Sequence, residues 1–479
     1  MRRVLLSLIV ILSVLLAGLM GTAFLFPMLL SPEPTAPTLN TTLPPTPTTT
    51  APPPTTLPPT EPSQPPIVKE QTVRLTATGD MLMHMSVVNS VRSGKDYDFY
   101  SLFRYLTPYV QEADLAFCNL ETTLAGLDNG YPYSNYPCFN TPDVLIRDLR
   151  EVGFDTILTA NNHSYDTRSV GFHRTQKVIR DYGLSVLGTR ETEDDPVFSI
   201  VEQGGIRMGL VCYTYEYDDP NTDPARKYLN GIPVSVADGP LVNSFHYYRL
   251  EKFYAEVTEI FQQMRRQDVD TIVFFIHWGD EYSIRSNSRQ TAIAQELCDL
   301  GVDVIIGGHA HVVQPMELFT STIDESHKTV CLYSMGNTIA NQRRDNMNLK
   351  TGHTEDGMLF SLNYARYSDG SIVLESVEIL PTWVRKQLID NKPVYTVLPL
   401  DKTLEDWKEA FSLSNTHLAL AEGSYDRTMK IVGEGLEAVN AYLSQAQAEL
   451  ERALGILPPE EPPAPSEPIP TDPVPTETA

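Results

Sequence analysis

The chain has 479 residues, with 36 basic and 61 acidic side chains, a net charge of −25 at pH 7 and a sequence pI near 4.7. A protein this acidic has no general attraction for nucleic acid or anionic lipid, which excludes functions that depend on a basic surface. An anionic substrate must instead be held by local positive charge, such as a bound metal ion. The length allows about two or three domains of ordinary size.

The N-terminal residues 1–30 predict a transmembrane signal-anchor. Two arginines precede an apolar run, Val4 to Leu30, in which no residue is charged. The run is too long for the apolar part of a cleaved signal peptide and long enough to cross a bilayer with some tilt. Positive charge before it places the N-terminus in the cytoplasm and the main part of the chain outside the cell membrane. The alternative is a long signal peptide cleaved among small residues near position 23, and both interpretations export the bulk of the chain.

Two further segments lack the composition of a folded core. Residues 31–67 are mostly proline and threonine, which predicts a disordered polyproline-like linker that could span up to roughly 100 Å. Residues 456–479 form an acidic, proline-rich tail without a basic residue, and disorder is predicted there too.

The five cysteines show no metal-type spacing. Cys212 and Cys331 lie in apolar strand-like runs and are predicted core residues. The sequence leaves open a disulfide between Cys118 and Cys138 outside the cell.

Residues 68–400 predict an α/β domain. Strands alternate with helices, and several strands are continuously apolar, as in strands that are covered on both faces. The later strands follow one another without helices and predict an added antiparallel part. The predicted helices are 142–152, 168–182, 248–267 and 288–300. Residues 401–455 predict a helical segment that either packs on this domain or extends from it.

Metal-capable side chains follow five predicted strands. The segments are TGDMLMH (Asp80, His84), FCNLE (Asn119, Glu121), TANNHSYD (Asn161, Asn162, His163, Asp166), FFIHWGDE (His277, Trp278, Glu281) and GGHAH (His309, His311). The carboxyl ends of strands in an α/β sheet meet at one rim, so we expect these side chains to lie together. Imidazoles, carboxylates and an amide oxygen suit two divalent ions such as Mn²⁺, Zn²⁺ or Fe²⁺. Ions bridged by a carboxylate about 3.5–4 Å apart can activate a water for hydrolysis.

Each of these residues has a plainer explanation when it is taken alone. Asp80 could cap a helix, and so could Asn161 or Asn162. Glu121 could be a solvated residue at a strand end, and His277 a hydrogen-bonded core histidine. The joint pattern favours a metal site, because two histidines also stand one residue apart behind a glycine pair.

The motifs also resemble those of a known family. TGDMLMH, NLETTLAG, ANNHSYD, HWGDEY, GGHAHVVQP and YSMGN stand in the order found in the CapA family, bacterial proteins linked to poly-γ-glutamate capsule synthesis. That family is in turn similar to calcineurin-like metallophosphoesterases. The resemblance covers roughly residues 72–340 and implies a metallophosphatase-like αββα sandwich.

The resemblance implies a role for each matching residue. The implied ligands of two divalent metal ions are Asp80, His84, Glu121, Asn162, His277, His309 and His311. Glu121 would bridge the two ions, and His163 would be the general acid. Residues implied to contact substrate or to support the ligands are Asn119, Asp166, Trp278 and Glu281. The sequence departs from the phosphoesterase pattern twice, since His84 stands two positions beyond the Asp-x-His spacing and Glu121 stands in place of an aspartate.

We therefore expect a membrane-anchored hydrolase outside the cell membrane. The resemblance implies an anionic polymer, poly-γ-glutamate, or a phosphoester as substrate, and other membrane proteins of capsule synthesis as partners. The first alternative is a non-catalytic component of an export complex, whose metal ions bind polymer carboxylates without turnover. A proton donor at His163 favours catalysis over binding alone. A surface nucleotidase is a further alternative, which the sequence ANNHSYD and the lack of a separate nucleoside-binding domain disfavour.

Overall fold

The computed structural model describes residues 66–401 and 404–458. The predicted signal-anchor lies outside the described residues, as do the linker apart from residues 66–67 and the tail apart from residues 456–458. Within the described ranges, no helix is both long enough and apolar enough to cross a membrane.

The described residues form nineteen strands and nine α-helices, numbered here in chain order. The strands are β1 (Lys69–Met81), β2 (Arg92–Ser93), β3 (Asp96–Tyr97), β4 (Leu115–Leu120), β5 (Thr156–Leu158), β6 (Ser185–Leu187), β7 (Ser199–Gln203), β8 (Ile206–Tyr215), β9 (Tyr228–Leu229), β10 (Ile232–Pro233), β11 (Ser244–Phe245), β12 (Thr271–His277), β13 (Val304–Gly308), β14 (Met316–Thr320), β15 (Lys328–Leu332), β16 (Asn337–Ile339), β17 (Asp356–Tyr367), β18 (Ile372–Ile389) and β19 (Lys392–Pro399). The helices are α1 (Met85–Ser90), α2 (Tyr100–Phe103), α3 (Thr107–Gln111), α4 (Val144–Val152), α5 (Arg168–Asp181), α6 (Leu250–Arg265), α7 (Ser288–Asp299), α8 (Leu404–Ala410) and α9 (Asn415–Ala453).

Two mixed sheets contain most of the strands. The first has the order β19-β18-β17-β1-β4-β5-β6, with β16 pairing with the end of β1. Its strands β1, β4, β5 and β6 are parallel, whereas β17, β18 and β19 are antiparallel. The second has the order β11-β8-β12-β13-β15-β14, with β7 pairing with β8. The predicted antiparallel part is therefore an extension of the first sheet, joined to it through the pairing of β17 with β1.

Side-chain alternation along the strands shows how the layers stack. In the first sheet, Phe117 points into the core between the sheets, while its neighbour Cys118 packs against helices. In the second sheet, Phe275 lies in the same central core, and Phe274 packs against α6. Helices α1 to α5 cover the outer face of the first sheet, and α6 and α7 cover that of the second. The protein is a mixed α/β sandwich with helices on both outer faces, as the sequence predicts.

The C-terminal helix α9 packs on the sandwich. Val432, Val439 and Leu443 are buried in the core between the two sheets. In the first half of the helix, the guanidinium of Arg427 donates two hydrogen bonds of 2.7 Å to the buried carboxylate of Asp356 at the start of β17. Of the two arrangements that the sequence leaves open for this segment, the structure shows the packed one.

The cysteines discussed above are free thiols that are buried or half-buried. Cys212 and Cys331 are buried, as predicted. Cys118 is buried and Cys138 is half-buried, and both are free thiols in the structure. The pairing that the sequence left open is therefore absent from the described residues.

Candidate metal centre

Asp80 lies at the end of β1, where the chain passes very close to a neighbouring loop. A Cβ atom at Gly79 would stand 2.0 Å from the carbonyl oxygen of Gly336, so only glycine allows this approach. The amide of Asp80 donates to that same carbonyl at 2.9 Å. Its buried carboxylate accepts hydrogen bonds from Asn119 Nδ2 at 2.8 Å and from the amide of His309 at 3.0 Å. Asp80 is therefore fixed by backbone and side-chain contacts and does not cap a helix.

Glu121 follows β4 and is completely buried. Neither of its carboxylate oxygens has a hydrogen-bond partner. Imidazole nitrogens lie just beyond hydrogen-bond distance, with Oε1 3.5 Å from His277 Nε2 and 3.7 Å from His311 Nε2. A buried carboxylate without partners is strongly disfavoured, because it has lost its hydration without compensation. A cation between these groups would provide the missing compensation.

His277 ends β12 and faces the residues that follow β5. Its Nε2 lies 2.8 Å from the amide oxygen of Asn162, and its Nδ1 lies 3.9 Å from Asp80 Oδ1. The residue is 3 % exposed, and its two nitrogens face polar groups of the first sheet. The histidine thus belongs to the polar cluster and is not an isolated core residue.

The loop after β13 holds two histidines in an uncommon backbone conformation. His309 and His311 have φ angles of 87° and 55°, in the region that residues with a Cβ rarely occupy. Such conformations cost about 1–3 kcal/mol each and persist at sites where function requires them. A Cβ at Gly308 would stand 2.8 Å from Asp80 Oδ1, so glycine is needed for the loop to approach that carboxylate. The strained loop directs both imidazoles towards the residues of the other sheet.

Carboxylate and imidazole atoms converge in three groups whose members lie within 4.8 Å of one another. The groups are Asp80, Glu121 and His311; Glu121, His277 and His309; and Glu281, His309 and His311. The first two share Glu121, as a bridging carboxylate would, and Asn162 adds an amide oxygen beside the second. The buried Nδ1 of His309, like Glu121, has no hydrogen-bond partner. These residues fit divalent metal ions with mixed nitrogen and oxygen ligands.

The charges of the protein alone shift the pKa values within this cluster. Burial lowers the pKa of His309 well below its usual value, and neighbouring His277 and His311 lower it further, so the imidazole is neutral. Burial also lowers the pKa of His311, but the carboxylates of Glu121 and Asp80 outweigh it and raise the pKa to about 9. Burial raises the pKa of Asp80, but His311 and His277 outweigh it, and the pKa falls below its usual value. The carboxylates of Asp80 and Glu121 therefore favour a positively charged group beside them.

A second pair of titratable residues lies beside the metal-ligand groups. His163 Nδ1 is 2.7 Å from the Asp166 carboxylate, and both side chains are buried. Burial lowers the pKa of His163, but Asp166 and the charge of Glu121 outweigh it, and the pKa is raised. The contact with Asp166 occupies Nδ1 and leaves Nε2 as the nitrogen that can exchange a proton with a ligand.

The other predicted site residues take up different positions. His84 stands immediately before α1, where its Nδ1 lies 3.2 Å from both Leu82 O and the amide of Asn341, and it belongs to none of the three groups. Burial lowers the pKa of His84 to about 4. Trp278 is fully buried behind the site, where its indole donates to Tyr333 O at 3.0 Å, so it supports β12 and cannot contact a substrate. Glu281 is exposed at the edge, near His309 and His311.

Residues outside the predicted set of metal ligands also shape the site. The Tyr215 ring lies 4.6 Å from that of His309, and nothing in the sequence of β8 marks it. Asn161 donates to Asn119 Oδ1 and to Leu120 O, which ties the loop after β5 to the end of β4. Asn230, at the tip of the β9–β10 hairpin, donates to Asp166 Oδ1 at 3.1 Å. The Asn-Gly pair at 230–231 signals a turn, but it does not indicate what the turn contacts.

Comparison with known proteins identifies relatives of the chain. The model of the family described as bacterial capsule synthesis protein PGA_cap matches residues 74–342, which include every predicted site residue. Capsule biosynthesis protein CapA of Bacillus anthracis is 27% identical over 279 residues, which are 57% of this chain and 61% of the relative. PGA biosynthesis protein CapA of Bacillus subtilis (strain 168) is 24% identical over 345 residues, which are 71% of this chain and 82% of the relative. The chain thus spans less than two thirds of the B. anthracis protein.

A solved structure of a Staphylococcus aureus protein described as a 5′-nucleotidase, in complex with alpha-ketoglutarate, is a more distant match. Its sequence identity is 13% and its TM-score 0.38, with 74% of this chain and 58% of that chain covered. No functional conclusion follows from a likeness at this level.

Proposed function

The chain belongs to the bacterial capsule synthesis protein family PGA_cap, and from this premise we propose that it is a membrane-anchored hydrolase of metallophosphoesterase type. It acts outside the cell membrane, in the synthesis, export or attachment of an anionic envelope polymer. The names of the two Bacillus relatives support a role in capsule synthesis, and that of the B. subtilis relative supports poly-γ-glutamate as the polymer. The bond cleaved is a phosphoester or a bond of the polymer itself.

The observation that carries this proposal is the environment of Glu121. Its carboxylate is buried without any hydrogen-bond partner, and His277, His309, His311 and Asp80 surround it. A site evolved only for packing would pair such a group or replace it with an apolar residue. A site for cations leaves the carboxylate free until the cation binds.

The residues divide into two ligand sets that share Glu121. Asp80 and His311 would hold one ion, and His277, His309 and the Asn162 amide oxygen would hold the other. Divalent ions bound here would supply an activated water and positive charge for the oxygens of the scissile group. His84 is the least supported of the ligands, because it belongs to none of the three groups.

His163 has the position of a proton donor for the leaving group. The Asp166 carboxylate holds its Nδ1, which fixes the orientation of the ring, and Asn230 in turn donates to Asp166. The raised pKa favours the protonated imidazole, whose Nε2 would give its proton to the departing oxygen or nitrogen. Phe139 packs edge-on against the ring at 4.9 Å and limits its rotation.

Removal and return of metal tests the proposed function. We expect full-length protein to hydrolyse at least one of a panel of phosphoesters and γ-glutamyl polymers, to lose this activity when a chelator removes its metal, and to regain it with Mn²⁺, Zn²⁺ or Fe²⁺. Product release is measured before chelation, after it and after reconstitution. Bound metal without hydrolysis of any member of the panel would contradict the enzyme and support the polymer-binding alternative.

The anchor is tested separately. We expect the mature protein to keep residues 1–30 and to sediment with membranes, because the run from Val4 to Leu30 is long enough to span a bilayer. N-terminal sequencing of protein purified from the membrane fraction measures this. A mature chain that starts near residue 24 would show instead that the segment is a cleaved signal peptide.

A further inference from the structure

A cavity of about 440 Å³ lies between the β9–β10 hairpin region and the start of α6. Its walls come from the end of β8, the chain on both sides of the β9–β10 hairpin, β11 and the first turns of α6. The volume falls within the roughly 300–1,000 Å³ that is usual for sites of small ligands. None of the residues discussed above as metal ligands lines it, so it is a separate site.

Four basic side chains line this cavity: Arg226, Lys227, Arg249 and Lys252. In the part of the chain that the structure describes, none of the four forms a salt bridge, although the protein carries 61 acidic residues. Their recorded hydrogen bonds go to neutral groups: Lys227 donates to Val242 O at 2.7 Å, and Arg249 to Thr222 O at 2.8 Å. Burial lowers the pKa of Lys227, and the nearby charges of Glu216 and Glu256 offset only part of this effect.

The two acidic residues of the cavity accept hydrogen bonds from hydroxyl groups. Glu216 accepts a hydrogen bond from the Ser244 hydroxyl at 3.1 Å, and Glu256 accepts one from the Tyr213 hydroxyl at 2.6 Å. Four basic against two acidic groups leave an excess of positive charge, which attracts an anionic ligand. Pro240, Val242 and Phe245 add apolar wall against which the methylene groups of a ligand can pack.

Two segments of the chain run from the walls of the cavity to residues of the metal centre. Glu216 directly follows Tyr215, whose ring lies 4.6 Å from that of His309. The β9–β10 hairpin begins directly after Lys227, and its tip residue Asn230 donates to Asp166. The walls of the cavity and the metal centre therefore share two segments of the chain.

We propose that this cavity is a carboxylate-binding subsite, which holds acidic side groups of the anionic polymer while a nearby bond lies at the metal centre. The inference rests on the proposed function for the identity of the polymer. It assigns substrate recognition to Arg226, Lys227, Arg249 and Lys252, and it explains how so acidic a protein binds a polyanion.

Charge variants of the cavity test this assignment in the full-length protein. The probe is a fluorescently labelled γ-linked glutamate oligomer, and fluorescence anisotropy measures its dissociation constant. We expect R226Q/K252Q to weaken binding about tenfold and E256Q to tighten it about threefold, since one loses two positive charges and the other loses a negative charge. The single variant K252Q is included because Lys252 is exposed, so this substitution should leave the fold intact. R266Q, at the other end of α6, removes an exposed positive charge outside the cavity and should leave binding unchanged.

The outcomes separate this inference from the proposed function. Unchanged binding in K252Q, R226Q/K252Q and E256Q would overturn the subsite, and so would displacement of the oligomer by inorganic phosphate at lower concentration than by glutarate. The same cavity variants are also made in an H309A/H311A background and assayed for metal and hydrolysis. If the cavity substitutions change the dissociation constant of the oligomer in the H309A/H311A background as well, the subsite is supported, whatever the result for hydrolysis. A wild-type protein without metal or hydrolysis would refute only the proposed function.

Discussion

Replacing both His309 and His311 with alanine is expected to remove the bound metal from the protein. Wild-type protein purified at full length should carry close to two transition-metal ions per chain, because two ligand groups share Glu121. The double variant takes imidazole ligands from both groups at once, so neither ion keeps a sufficient ligand set. Plasma emission spectroscopy of the dialysed protein measures the metal content.

A matched control removes two histidines that stand elsewhere. His353 and His417 belong to none of the three ligand groups, so H353A/H417A should keep the wild-type metal content. Equal metal content in the two double variants would contradict the metal centre. So would a wild-type protein that binds no metal even after reconstitution with Mn²⁺ or Zn²⁺.

The variant E121Q separates a cation site from a buried acid with a structural role. Without metal, glutamine removes a buried charge that has no hydrogen-bond partner but also removes its attraction for His311, so the unfolding temperature should change little. With metal, binding to the native state alone stabilises wild-type protein by roughly 3–4 kcal/mol at 100–1,000 times the dissociation constant, and E121Q should lose most of this gain. Thermal unfolding with and without metal measures both effects. An E121Q protein that gains as much from metal as wild type would exclude Glu121 as a ligand.

The sequence predicts the components of this site because strand ends are easy to recognise. Apolar runs such as DTIVFFIH and DVIIGG end at polar residues, and the strands observed there, β12 and β13, end at His277 and Gly308. Parallel strands bring their carboxyl ends to one rim, which is a local rule that needs no knowledge of distant contacts. The helices predicted at 168–182 and 288–300 likewise end within one residue of α5 and α7.

Contacts between distant parts of the chain could not be predicted in this way. The run FDTILTANNH reads as a strand, but β5 ends at Leu158, since Asn161 donates side-chain hydrogen bonds to the end of β4 and the chain leaves the sheet. The pairing of β17 with β1 joins segments almost 300 residues apart, and strand periodicity carries no information about partners. His84 has a metal-capable side chain, yet it belongs to none of the three ligand groups. Only the folded structure shows which of these side chains converge.

Replacing His163 with alanine is expected to lower turnover about 10²- to 10⁴-fold while the metal content stays at the wild-type value. The imidazole contacts Asp166 and belongs to none of the three ligand groups, so its loss removes the proton donor and leaves the metal ligands in place. The defect should depend on the leaving group. The turnover of H163A should fall far more on an alkyl phosphoester, whose leaving oxygen needs a proton, than on a nitrophenyl ester, whose leaving group departs as a stable anion.

The control for this prediction is another histidine held by a carboxylate. His173 Nε2 lies 2.8 Å from Asp238, within the helix that follows the site, and H173A should keep wild-type turnover on both esters. The turnover of D166N on the alkyl ester should lie between those of wild type and H163A, because the substitution weakens the hydrogen bond to His163 Nδ1 without removing the imidazole. Equal losses on the two esters in H163A would show that His163 positions the substrate and is not its acid. Full activity and full capsule function in H163A would remove the main support for catalysis, because a site that only binds polymer needs no proton donor.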